Sequence, residues 1–246
     1  MKTIGIVCEG PTDFIVIKCI IDMLTGEENL YRKLQPEETL AGRNGNGWKG
    51  VVKWCRDNWD GRESLMHQVQ PEIDFLVIHM DGDVSRKEKV VHCECASSAD
   101  CDRRGTVDPL DCDKTPESRA ACPIQLPCMD HGAPIGGYIN HLTHLISEGK
   151  PYRDDVCIVI PCDSIEAWIV AAYDKNGDAE KIENPWETII SKRKTYHEIR
   201  VRGSSKNQRT FSHFADAVCE NWSDVTRICE SAYNFEQDIL RLAAQV

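Results

Sequence analysis

Three apolar runs in this chain each stop on acid. TIGIVC (residues 3–8) leads into Glu9-Gly10-Pro11-Thr12-Asp13, IDFLVIHM (73–80) into Asp81-Gly82-Asp83, and VCIVIP (156–161) into Cys162-Asp163-Ser164-Ile165-Glu166. Runs this greasy read as buried strands, and a carboxylate at the end of a buried strand is expensive unless something pairs with it. Glu9, Asp13, Asp81, Asp83 and Glu166 gathered on one edge, with Ser164 beside them, would repel one another strongly. Divalent cations relieve such repulsion, and hard oxygen ligands suit Mg²⁺ or Mn²⁺. Asp-Gly-Asp fits that chemistry, because alternate residues of an extended chain point the same way and both carboxylates can reach one ion. Gly82 lets the backbone bend close to such a ligand.

Each motif also has a plainer reading. Asp-Gly-Asp is a common turn. Glu9 and Asp13 could flank a helix entry, near the positive end of its dipole. Ser164 with Glu166 could be a helix cap. The three motifs at equivalent strand ends together favour a cation site.

The elements that would position these groups alternate. After the strand at 3–8, a helix is expected over 14–24, where Ile15, Ile17, Ile20, Ile21 and Leu24 recur at helical spacing, with Thr12 as N-cap and Pro11 in the turn. A short strand is expected over 34–40, a glycine-rich loop (GRNGNGWKG) over 42–50, and a helix from 48 to about 59. The strand at 73–80 follows, then a stretch at 84–132 that matches neither period and is long for a loop inside a compact domain. A helix over 135–147, the strand at 156–161 and a helix over 165–173 resume the pattern. Continuous apolar strands between helices predict an α/β fold with a parallel sheet covered on both faces, and in such sheets ligands bind at the carboxyl ends of the strands. Beyond residue 178 the chain reads as helical, with a basic loop near 192–209 and a final helix over 223–244. Trp54, Trp168 and Trp222 fall in apolar helical patterns and are expected in the core.

Composition narrows the function classes. A chain of 246 residues can bury one good core, or a core plus a small appended unit. No apolar run reaches the roughly 18–20 residues of a membrane span, and no basic-then-apolar leader opens the chain, so a cytoplasmic protein is expected. The formal net charge of −11 excludes a simple basic nucleic-acid binder. Any nucleic-acid contact must be local or mediated by bound cations. The thirteen cysteines divide into two groups and a loner. Cys8, Cys19, Cys55, Cys157, Cys219 and Cys229 sit in apolar or helical patterns and read as small core residues, and Cys162 stands apart. Cys93, Cys95, Cys101, Cys112, Cys122 and Cys128 crowd the 84–132 stretch with His92 and His131, enough soft ligands for one or two structural Zn²⁺ sites, though no paired C-x-x-C knuckle picks out which ligands bind.

An apolar strand into Glu-Gly-x-x-Asp, followed by one into Asp-x-Asp, resembles the TOPRIM domain shared by topoisomerases, DnaG-type primases, RNase M5-like maturases and OLD-family nucleases. The resemblance covers about residues 2–174, interrupted by the cysteine-rich stretch. It implies a Rossmann-like, mostly parallel sheet over 1–175, with 84–132 inserted and a helical extension over 176–246. It further implies Glu9 as acid/base or metal-bound glutamate, with Asp81 and Asp83 holding Mg²⁺. OLD-like nucleases carry an acid one helical turn after the first glutamate, which maps to Asp13, and a later pair, which maps to Ser164 and Glu166. The stretch PCDSIEAWIVAAYD also resembles small TOPRIM proteins found among bacterial phage-defence genes. OLD enzymes carry an ATPase domain; no G-x-x-x-x-G-K-[ST] motif occurs here, so an ATPase or sensor would be a separate partner chain.

The acidic strand ends and the TOPRIM resemblance together imply a nuclease that cuts DNA or RNA with two metal ions, which would activate a water and stabilise the leaving oxygen. Glu9, Asp81 and Asp83 are the expected catalytic residues. Lys192, Arg193, Lys194, Arg200, Arg202, Lys206 and Arg209 form the basic concentration that could track a phosphate backbone, or merely a solvated face. A homodimer is compatible with this reading. The alternatives are another TOPRIM nucleotidyl or phosphoryl transfer, or a catalytically silent TOPRIM-like module that binds a partner. His141 and His144, three residues apart, have a ligand spacing but read more simply as surface or core histidines.

Overall fold

A computed structural model of the chain describes residues 1–36, 47–58, 72–84, 142–143, 146–147, 150, 153–175, 177–182, 184–201 and 206–246. Four strands form one all-parallel sheet in the order β2-β1-β3-β4, made of β1 (Thr3–Val7), β2 (Leu30–Gln35), β3 (Phe75–His79) and β4 (Val156–Val159). Every residue of β1 and β3 is buried, which is why their sequences are apolar without alternation. Successive side chains still part to opposite faces. Phe75 and Val77 join Ile4, Ile6 and Cys157 in one core layer, whereas Leu76 and Ile78 join Val7 and Val156 in the other.

Each layer is closed by helices. α1 (Pro11–Thr25) lays Val16, Ile17, Ile20 and Ile21 on the first face. α2 (Trp48–Asn58) covers the second with Val51, Val52, Trp54 and Cys55, beside Leu142 and Ile146. α3 (Glu166–Tyr173) follows β4 on the first face, and the extension supplies the rest: α4 (Pro185–Ser191), the short α5 (Lys194–His197), α6 (Gln208–Glu220), α7 (Trp222–Ile228) and α8 (Glu230–Ala243). α6 packs along α1, and α8 packs on β4 and α1. The buried Trp168 of α3 ties this layer together. Its ring stacks on Phe235 at 5.6 Å, meets Trp222 edge-on at 5.9 Å, and its Nε1 donates to Ser231 Oγ at 2.8 Å.

The strands at 3–8, 73–80 and 156–161 and the helices over 14–24, 48–59 and 165–173 appear close to their expected places; the other elements differ or lie partly outside the described residues. The cap of α1 is Gly10 rather than Thr12; Pro11 sits at the first helical position, and Asp13 accepts the Gly10 N–H at 2.9 Å. β2 begins at Leu30, a half-exposed edge strand (LYRKLQ) with no apolar run to betray it, and it overlaps the strand expected over 34–40 only at 34–35; residues 37–40 lie outside the described residues. The single helix expected over 223–244 breaks at Cys229, whose backbone is extended and whose side chain is buried. Glu180, on a 3₁₀ turn at Ala179–Lys181, accepts the N–H groups of Glu230 (2.9 Å) and Ser231 (3.0 Å), so a buried carboxylate starts α8 afresh. The basic stretch is not one loop: α5 and the first turn of α6 lie within it. Leu142, Thr143, Ile146 and Ser147 are helical, within the helix expected over 135–147.

Candidate functional site

The chain goes from β1 to β2 on one side and then crosses to β3 on the other, so the sheet's switch point lies between β1 and β3. Ligands of open parallel sheets bind in the crevice outside the carboxyl ends of the strands at such a point. Glu9 leaves β1 there and Asp81 leaves β3. The two ends are stitched together, since the Asp81 N–H donates to Glu9 Oε1 at 2.8 Å. The turn after β4 clasps the same place. Gly82 N–H donates to the Pro161 carbonyl (3.2 Å) and Asp83 N–H to the Asp163 carbonyl (2.7 Å). Asp163 stands in the left-handed region at φ 61°, a backbone strain held by these bonds. From the same turn, the Ile165 N–H donates to Asp81 Oδ1 at 3.2 Å.

A cleft of about 330 Å³ opens over these ends. Glu9, Asp81, Asp83, Ser164 and Glu166 line it, with Trp48 from α2 and Asn184, Trp186 and Lys206 from the extension. Asp13 is not among the lining residues. It is buried behind them, committed to the Gly10 N–H and facing His79 Nδ1 at 3.9 Å. Glu166 is 1% exposed, and the Lys206 ammonium sits directly on its Oε1. No other described group hydrogen-bonds either Glu166 oxygen. Lys206 also lies 5.7 Å over the Trp186 ring. Thus one member of the basic stretch turns into the acidic cleft, while Lys192, Arg193, Lys194, Arg200 and Arg209 stay exposed outside it.

The charges explain how the acids share so little space. Burial, then the nearby Asp81 charge, pushes Glu9 up to about 8. Burial pushes Asp13 up to about 7, against the pull of His79 and with the repulsion of Asp81 and Glu166. Burial would also raise Asp81, but His79, Lys206 and the Ile165 N–H outweigh it and hold that carboxyl below its ordinary range. His79 is fully buried, with Nε2 3.4 Å from Asp81 Oδ1. Burial alone would lower it; the carboxylates of Asp81, Asp13 and Glu9 instead raise it to about 9. At neutral pH it is an imidazolium set between Asp13 and Asp81, underneath the cleft.

The donor chemistry suits a hard divalent cation: all-oxygen groups, a Glu166 Oε2 shielded from solvent to which no described group donates, and a Glu9 carboxyl that burial and the Asp81 charge push up to about 8. The side chains do not form a ready cage. Among the described residues, no group of three or more His, Cys, Asp or Glu is gathered as it would be around a metal ion. His79, Asp163, Asn184, Trp48 and Trp186 also belong to the site, although no motif marks them. His79 hid as the last polar letter of an apolar strand. The available signal was Asp163, since Asp is among the few residues that tolerate positive φ in a tight turn. Cys93, Cys95, Cys101, Cys112, Cys122, Cys128, Arg202, His141 and His144 lie outside the described residues. No described helix is long and apolar enough to cross a membrane. No family model, curated protein or solved structure matches the chain.

Proposed function

We propose that the chain is a Mg²⁺- or Mn²⁺-dependent nuclease of TOPRIM type, hydrolysing DNA or RNA in the cytoplasm as an anti-phage effector. One observation carries the reading: acids from the ends of three adjacent parallel strands, Glu9, Asp81, Asp83 and Glu166, line a single cleft with Ser164. These residues would hold the cations, which supply a more acidic water and positive charge at the leaving oxygen. The chain's own groups do the remaining work. Glu9, poised at about 8 and fixed by the Asp81 N–H, can hold or release a proton near neutral pH. Lys206 gives the phosphate a cation, and Trp48 and Trp186 supply aromatic surface at the rim for bases to stack on.

A second reading, a silent partner-binding module, draws on a specific observation too: a lysine already neutralises Glu166, and no metal cage is gathered among the described residues. Incubation with plasmid, single-stranded DNA and tRNA separates the two. The nuclease reading expects cleavage with Mg²⁺ or Mn²⁺, none with EDTA, and none from Glu9→Ala or Asp81→Ala proteins that keep a wild-type circular dichroism spectrum. If either variant cuts as well as wild type, the site is misassigned; if nothing is cut under any condition, the binding module is favoured.

A further inference from the structure

α1 and α6 are joined by more than apolar packing. Cys19 on α1 and Cys219 on α6 stand with their sulfurs 2.9 Å apart, although 200 residues separate them in the chain. Both are half-buried, unlike Cys8, Cys55, Cys157, Cys162 and Cys229, which are buried. A disulfide needs sulfurs about 2.05 Å apart, so the pair lies within about 0.9 Å of bonding distance. Cys219 donates its S–H to Cys19, which favours thiolate at Cys19, whereas burial raises the thiols of Cys8, Cys157 and Cys229. Among the described residues this is the pair of thiols in contact, and it lies on the two helices whose first turns flank the cleft: α1 begins beside Glu9, and α6 begins beside Lys206.

We propose that Cys19 and Cys219 are a redox modification site, closing into a reversible disulfide that staples α6 and the extension to the sheet layer. With hydrogen peroxide as oxidant the step balances. The Cys19 thiolate attacks one peroxide oxygen, the O–O bond breaks and hydroxide leaves, giving a sulfenic acid. The Cys219 sulfur then attacks the Cys19 sulfur, its proton leaving with the displaced hydroxyl as water. Two thiols and one peroxide give one disulfide and two waters. A dithiol reductant reverses it, as suits a sensor in a reducing compartment. The bond would close a very long loop, the case in which chain-entropy stabilisation is largest.

The test uses the full chain, reduced, exposed to hydrogen peroxide, unfolded with N-ethylmaleimide to block remaining thiols, and digested without reduction. Mass spectrometry should find the Cys19 and Cys219 peptides joined, lighter than their sum by two hydrogens and separated by a phosphine reductant. Oxidation should raise the Tm of the wild type, and Cys19→Ser should abolish that rise. In Cys219→Ser, Cys19 should persist as a sulfenic acid that dimedone traps. Recovery of both peptides singly blocked, or joined to other cysteines, overturns the assignment. So does an oxidative Tm rise that survives in Cys19→Ser.

Discussion

Replacing Glu9 by Gln should flatten the dependence of stability on pH in a metal-free buffer. Burial and the Asp81 charge raise the Glu9 carboxyl from 4.5 to about 8 in the folded chain. An acid raised by folding favours the folded state while it is protonated, so its contribution is complete below 4.5 and is lost as pH rises through 8. Between pH 5 and pH 7 the unfolded chain releases this proton while the folded chain largely keeps it. At 1.36 kcal/mol per pH unit, that costs the wild type about 2–3 kcal/mol over the interval. Gln keeps the shape and can still accept the Asp81 N–H, but never ionises. Asp13, raised from 3.8 to about 7, acts in the same direction over an overlapping window and remains in both proteins. His79, raised from 6.5 to about 9, keeps its full contribution below 6.5 and loses it as pH rises through 9, mostly above the interval. Urea unfolding in EDTA at pH 5, 6 and 7 reads the difference. Wild type should lose about 2 kcal/mol more than Glu9→Gln. Parallel losses would refute the argument that burial and repulsion hold the Glu9 proton. Added Mg²⁺ should stabilise the wild type most at the upper end of the range, where deprotonation costs least.

Other expectations follow from single contacts. A Cβ on Gly5 would overlap Leu76 Cδ2 and stand 3.0 Å from Leu34 Cδ1, so Gly5→Ala should cost about 1–3 kcal/mol in denaturant unfolding; an unchanged midpoint would mean that layer is loosely packed. Lys206→Met strands the buried Glu166, at a cost of about 1–2 kcal/mol, reduced from the value for a fully buried pair because Lys206 is 41% exposed. Adding Glu166→Gln should restore most of that loss, and a double variant no better than the single one would show the pair is not the cause. Native mass spectrometry of the purified chain should find stoichiometric Zn²⁺ on the cysteine-rich stretch, and folded zinc-free protein would sink that expectation.

The sequence announced the strands that carry the site and left its walls unannounced. β1, β3 and β4 were legible because burial on both faces demands unbroken apolar runs, and the acids at their ends were conspicuous for the same reason. The start of β2 at Leu30 was not legible, because a half-exposed edge strand needs no apolar run. Lys206 looked like one more basic surface residue; only the packing of α6 against α1 carries it to Glu166, forty residues earlier in the chain. His79 obeyed the strand pattern by position and broke it by chemistry, and no period reports that a buried imidazole has two carboxylates beside it. The break at Cys229 depends on Glu180, fifty positions before the Glu230 N–H it accepts.

The same long reach has a consequence for biosynthesis. Glu9 leaves the ribosome before Asp81, and Lys206 with α6 only after both, yet all line one cleft. Parallel strands and distant walls give high contact order, so the cleft must close late rather than element by element. A nascent chain that has finished β4 holds its carboxylates without the ammonium that neutralises Glu166 or the helix that presents it. A cutting activity that depends on this cleft would therefore be withheld during translation until Lys206 and α6 have emerged and packed.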